Sequence, residues 1–228
     1  MHLTDLESCC YALLYENLDI RSFEQWVYGH SEIEQLLGPD DYLELISLDF
    51  GKRSIRHDVE RLLEKHLDYG KFETSQILSI LRKALASREE LPRILTQLYD
   101  MYCHGYSFLE DLGLGYGLLC KVPRAAEYEA ETWEDLEQKE RTEILDCFYP
   151  QIEADLSRAV VWLERGEIVL TGIRNEMNPR GFTDNRTAEA KQSSVWREIR
   201  RDKESGASVS KNLLWESIAA KRKRQRRR

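Results

Sequence analysis

The sequence predicts a mainly α fold: a multi-helix, bundle-like domain with a small β-hairpin near 167–183 and a basic, partly disordered C-terminal tail. Three observations lead there. Apolar residues recur at three- and four-residue steps through most of the chain, the period of one helix face. One stretch, Glu167 to Ile173, is the best strand candidate, with its run of Ile, Val and Thr. The charge is also segregated. The 228 residues carry 33 Lys and Arg against 41 Asp and Glu, net −8, but residues 191–228 alone hold 13 basic and 4 acidic side chains. Residues 1–190 are left at −17. A helical domain over 1–185 and a basic extension over 186–228 are the organisation expected.

Each element has its own signal. Leu3, Leu6, Cys10, Leu13 and Leu14 lie on one helix face. Ser22 reads as the N-cap of a short helix carrying Phe23, Trp26 and Val27 and ending at Gly29. Ser31 caps a turn through Leu36 and Leu37 to Gly38. Pro39, Asp40 and Asp41 then form a helix start before Tyr42, Leu43, Leu45, Ile46 and Leu48. That run is short and apolar enough for a buried strand, but Leu, Glu and Asp outweigh β-branched residues and favour a helix. Ile55, Val59, Leu62, Leu63 and Leu67 make the next stripe. Thr74 or Ser75 caps a helix burying Ile77, Leu78, Leu81 and Leu85, and another runs from Glu90 to Tyr102.

The texture then changes. Gly105, Gly113, Gly115 and Gly117 interrupt Phe108, Leu109, Leu112, Leu114, Leu118 and Leu119, which predicts a buried connection ending at Pro123. Helix returns from Thr132, as N-cap, to Phe148, and Pro150 restarts it through Leu163 to Gly166. Asn178 to Gly181 is a turn signal before Phe182. Beyond Asp184 the chain is polar, with short helices expected over 192–200 and 209–222 around a Ser205–Ser208 linker.

Five cysteines, odd in number and irregularly spaced, suit a reducing cytoplasm and not a secreted disulfide framework. The N-terminus lacks the basic start and apolar run of a signal peptide, and no stretch approaches 18 consecutive apolar residues.

Catalytic and metal motifs do not emerge. The glycines at 113, 115 and 117 fall at first, third and fifth positions, whereas a dinucleotide fingerprint needs first, third and sixth; close packing is the plainer reading. His2, His30, His57, His66 and His104 match no zinc spacing, and there is no C-x-x-C. No cofactor or metal and no catalytic residue is expected. The acidic run is the stronger signal: Glu127, Glu129, Glu131, Glu134, Asp135, Glu137, Glu140 and Glu143 fall within seventeen residues, against Lys139 and Arg141. It reads either as a solvated helix face or as an anionic docking surface with aromatic anchors. On the second reading the partner contacts are Glu127, Tyr128, Glu131, Trp133, Glu134, Asp135 and Glu137. The tail, with seven cations in Lys221 to Arg228, reads either as a phosphate-binding segment for nucleic acid or as a disordered end that folds back on the acidic body.

Phe23-Glu-Gln-Trp-Val-Tyr28, Leu36-Leu-Gly38 and Tyr42-Leu-Glu-Leu-Ile-Ser-Leu-Asp-Phe50, followed by a charged helix, resemble the immunity proteins of bacterial polymorphic and contact-dependent toxin systems over roughly residues 5–68. The resemblance implies a non-enzymatic protein that binds and blocks a cognate toxin, and it carries over no catalytic residues. The basic tail departs from that pattern. The expectation is a cytoplasmic immunity-type protein that covers a basic toxin active site without touching a membrane. The alternative is a nucleic-acid-associated adaptor acting through its tail. Oligomeric state is left open.

Overall fold

The computed structural model describes residues 3–15, 18–126, 128–172 and 181–191. Among these the fold is mainly α, as the sequence predicts, with ten α-helices and one two-stranded antiparallel hairpin. The chain packs as two compact units, Met1–Ser75 and Gln76–Arg228, and each has its own apolar core.

The first unit contains α1 (Asp5–Tyr15), α2 (Ile20–Gly29), α3 (Ile33–Leu37), α4 (Pro39–Ile46) and α5 (Ile55–Leu63). It also holds the start of α6 (Tyr69–Ala86). Its core gathers Tyr11, Phe23, Val27, Leu45, Val59 and Phe72, one or two side chains from each longer helix. Tyr11 stacks on Phe72 at 4.1 Å between ring centroids, and its hydroxyl donates to the Asp68 carbonyl at 2.5 Å. Arg56 donates to the carbonyls of Leu13 and Leu18, each at 2.8 Å, and so satisfies one acceptor in the last turn of α1 and one beyond it.

The run from Tyr42 is helix and not strand, entered through Pro39 at its first turn. Three caps in this stretch lie elsewhere than expected. Glu32, with no side-chain bond to the helix, stands at the N-cap of α3 in place of Ser31. Asp19, not Ser22, caps α2, accepting from the amides of Arg21 and Ser22. Helix α6 begins a turn and a half before Thr74, and Thr74 turns its hydroxyl back onto the Gly70 carbonyl from inside the helix. Leu85, expected in the core, is 39% exposed.

The second unit continues with α7 (Leu91–Cys103) and a 3-10 turn at Ser107–Leu109. A π-helical segment, Asp111–Gly117, leads directly into α8 (Leu118–Lys121). The glycine-rich stretch is thus a buried connection as expected, but it is helical, wound in the wide i→i+5 form. The close-packing reading of its glycines holds at two of three positions. A Cβ on Gly113 would stand 2.9 Å from that of Tyr102, and one on Gly117 would overlap the Leu95 carbonyl, so both let the backbone lie against α7.

A short 3-10 turn at Pro123–Ala126 follows, then α9 (Gln138–Phe148) and α10 (Gln151–Glu164). Strands β1 (Ile168–Leu170) and β2 (Phe182–Asp184) pair antiparallel, Val169 opposite Thr183. Ile168 and Leu170 are buried while Val169 faces out, the period-2 pattern of a one-sided hairpin. The basic extension beyond residue 191, with the helices expected over 192–200 and 209–222, and the turn at 178–180 lie outside the described residues.

Candidate partner-binding surface

The acidic run does not sit on a helix face for most of its length. Helix was expected from Thr132, but α9 starts at Gln138. The reason is two consecutive capping arrangements. Thr132 offers its amide and hydroxyl to Asp135 Oδ2, at 3.0 and 2.8 Å, which closes a turn that no helix continues. Glu137 and Glu140 then form a full capping box, with the Glu137 amide donating to Glu140 Oε2 at 3.2 Å. Both signals fit the same sequence window, and the second one opens the helix.

The expected contact residues are therefore sorted by burial. Glu127 lies outside the described residues. Tyr128 is 2% exposed and belongs to the second core, so it cannot serve as a surface anchor in this conformation. Trp133 is half-buried and packs against that core. Glu131, Glu134, Asp135 and Glu137 are exposed, as is Glu129. Leu136, 3% exposed, pins the turn from beneath.

The carboxylates differ in what already engages them. Asp135 is held below the ordinary aspartate range by its bonds to the Thr132 hydroxyl and amide. Glu137 is committed to the cap. Glu131 pairs with Arg124 at 3.1 Å, both side chains well exposed, a contact of little energetic weight. Glu129 and Glu134 carry no ion pair among the described residues. Only the Glu134 backbone is engaged, its carbonyl accepting from Arg141 at 2.5 Å. What remains exposed without a structural bond is Glu129, Glu131 and Glu134, neighbours in sequence of the half-buried Trp133.

A second acidic surface was within reach of the same arithmetic. Residues 1–50 hold eleven carboxylates against the single Arg21. In the first unit Glu32, Glu34, Asp40 and Glu44 are exposed on or beside α3 and α4, together with Leu43, which is 64% exposed. Splitting the charge only at the tail hid this concentration.

Among the described residues no group of three or more His, Cys, Asp or Glu side chains is arranged to hold a metal ion. His66 instead pairs with Asp41 at 2.5 Å, while His30 and His104 turn Nδ1 to the carbonyls of Trp26 and Asp100. Burial pushes the Cys9 thiol up to about 11 and that of Cys10 to about 12, which disfavours the nucleophilic thiolate. A small cleft is lined by Ser107, Glu110, Asp111, Trp162, Arg186 and Lys191. Its Arg186 forks onto Asp184 at 2.9 and 3.0 Å and stacks 4.2 Å over Trp162, so its guanidinium is engaged on both edge and face.

No family model matches the chain, and neither does any curated protein or solved structure. No helix among the described residues is long and apolar enough to cross a membrane.

Proposed function

We propose that the chain is a non-enzymatic binding protein of the immunity type, which neutralises a cognate basic toxin by covering its active site. The observation that carries the reading is the exposure of Glu129, Glu131 and Glu134, which flank the half-buried Trp133 in sequence. Exposed carboxylates attract a cationic surface over long range and speed encounter, while a half-buried tryptophan supplies the desolvated contact that holds the complex. The resemblance of residues 5–68 to toxin-system immunity proteins supports the same class, with a cytoplasmic setting. The test is titration against the toxin encoded beside the gene. Changing Glu129, Glu131 and Glu134 to Lys together should weaken binding by at least about tenfold and flatten its salt dependence. Unchanged affinity and salt response would remove the surface from the proposal.

The seven cations of Lys221–Arg228 favour a second reading, an adaptor that binds nucleic acid through its tail. Gel shifts of the full chain and of a chain ending at residue 218 separate the two. Salt-sensitive retardation lost on truncation supports the adaptor, and none in the full chain ends it.

A further inference from the structure

The segment Asp111–Gly117 is wound i→i+5 for seven residues, a form that proteins use mostly for single turns. Gly113 and Gly117 set it against α7, but this contact does not dictate the winding. Residues four apart share a face in an i→i+4 helix and nearly so in the wider one. The Tyr116 hydroxyl is more selective. It donates to Asp155 Oδ2 at 2.7 Å, from a residue 6% exposed to one 4% exposed. That carboxylate is itself fixed by Gln151 at 3.0 Å and Arg158 at 2.6 Å. A change of register by one residue would swing the hydroxyl off α10.

Gly115 is the third observation. It is buried, its φ is not left-handed, and a Cβ on it would meet nothing within 4 Å. Neither packing nor backbone geometry calls for glycine there. What glycine contributes at such a position is freedom to change conformation.

We propose that Asp111–Gly117 is a register hinge, latched by the Tyr116–Asp155 hydrogen bond and kept convertible by Gly115. Its opening frees the chain from the π-helical segment into α8 while α7 and α10 stay folded. The proposal is independent of the binding reading above.

Amide hydrogen–deuterium exchange on the full chain, resolved by peptide, tests it. Tyr116→Phe should speed exchange across 107–121 by about tenfold, the scale of one hydrogen bond to a charged group. Peptides from the first half of α7 and from α10 should not change. Gly115→Ala, which restricts only the open form, should slow the same peptides about two- to fivefold. Equal acceleration throughout the second unit in Tyr116→Phe, or none, overturns the latch. Absence of local slowing in Gly115→Ala overturns the hinge, and that arm decides alone if Tyr116→Phe does not fold.

Discussion

Lys71 Nζ lies 2.7 Å from both carboxylate oxygens of Glu7, joining α6 to α1 across sixty-four residues of chain. The two side chains are only 19% and 12% exposed. Removing one partner strands the other where water reaches it poorly, which is the costly way to break such a pair. Lys71→Met should therefore destabilise the first unit by about 1–3 kcal/mol. Lys71→Met with Glu7→Gln should recover part of the loss, and chemical denaturation of the single and double variants measures it.

The same carboxylate gives a pH dependence. Burial alone would raise the Glu7 carboxyl, but hydrogen bonds from Lys71 and from Thr4 outweigh it and hold the group below its ordinary value. Asp41 is lowered as well, by its bonds to His66 and then to Lys65. Carboxyls depressed in the folded state stabilise it above the unfolded value of about 4, and that stability is lost as pH falls through the lower folded values. Melting temperature should hold above about pH 5 and drop below it. Glu7→Gln should flatten the drop, and an unaltered profile would show that this pair does not set it.

The three glycines of the π-helical segment should respond in opposite directions. Gly113→Ala and Gly117→Ala push a methyl into α7 and should cost about 1–3 kcal/mol each. Gly115→Ala meets open space and should raise stability by about 0.4–1 kcal/mol. Thermal denaturation of the three single variants gives the order directly.

Carboxylates within the acidic run should also separate. Glu137→Ala removes half of the capping box and should cost about 1 kcal/mol. Glu134→Ala removes an exposed carboxylate that makes no ion pair among the described residues, and should stay within about 0.5 kcal/mol of the parent. A Glu134→Ala loss as large as that of Glu137→Ala would mean the Glu134 carboxylate is structural.

Arg186→Lys keeps the charge but loses the fork onto Asp184 and the flat stack on Trp162. An ammonium reproduces neither, so a loss of about 1 kcal/mol in the second unit is expected, read by denaturation at matched ionic strength.

Much of the fold was legible because it depends on local signals. The stripes at Ile55–Val59–Leu62 and Ile77–Leu78–Leu81, the Pro39 start and the alternation at 168–170 are each decided within a few residues. What was missed depends on distant partners. Thr132 and Glu137 are both sound caps, and choosing between them requires knowing that Leu136 is anchored in the core. The glycine trio resembles a break until α7 is placed beside it. The division into two units is least visible of all. Phe72 serves one core and Ile77 the other within the unbroken α6, so the apolar stripe runs past the boundary without a mark. For the candidate site, the sequence shows where carboxylates concentrate but not that Tyr128 is buried, because a buried tyrosine and an exposed one look alike in sequence.

The double capping before α9 has a consequence for descent. Asp135 and Glu137 are tied to backbone amides, so replacing either disturbs the chain itself, whereas Glu129, Glu131 and Glu134 project from a segment already fixed without them. A lineage changing its partner has three positions to rewrite at little cost to folding and two it must leave alone. Diversity among relatives should collect at 129, 131 and 134, with 135 and 137 held nearly constant just after them.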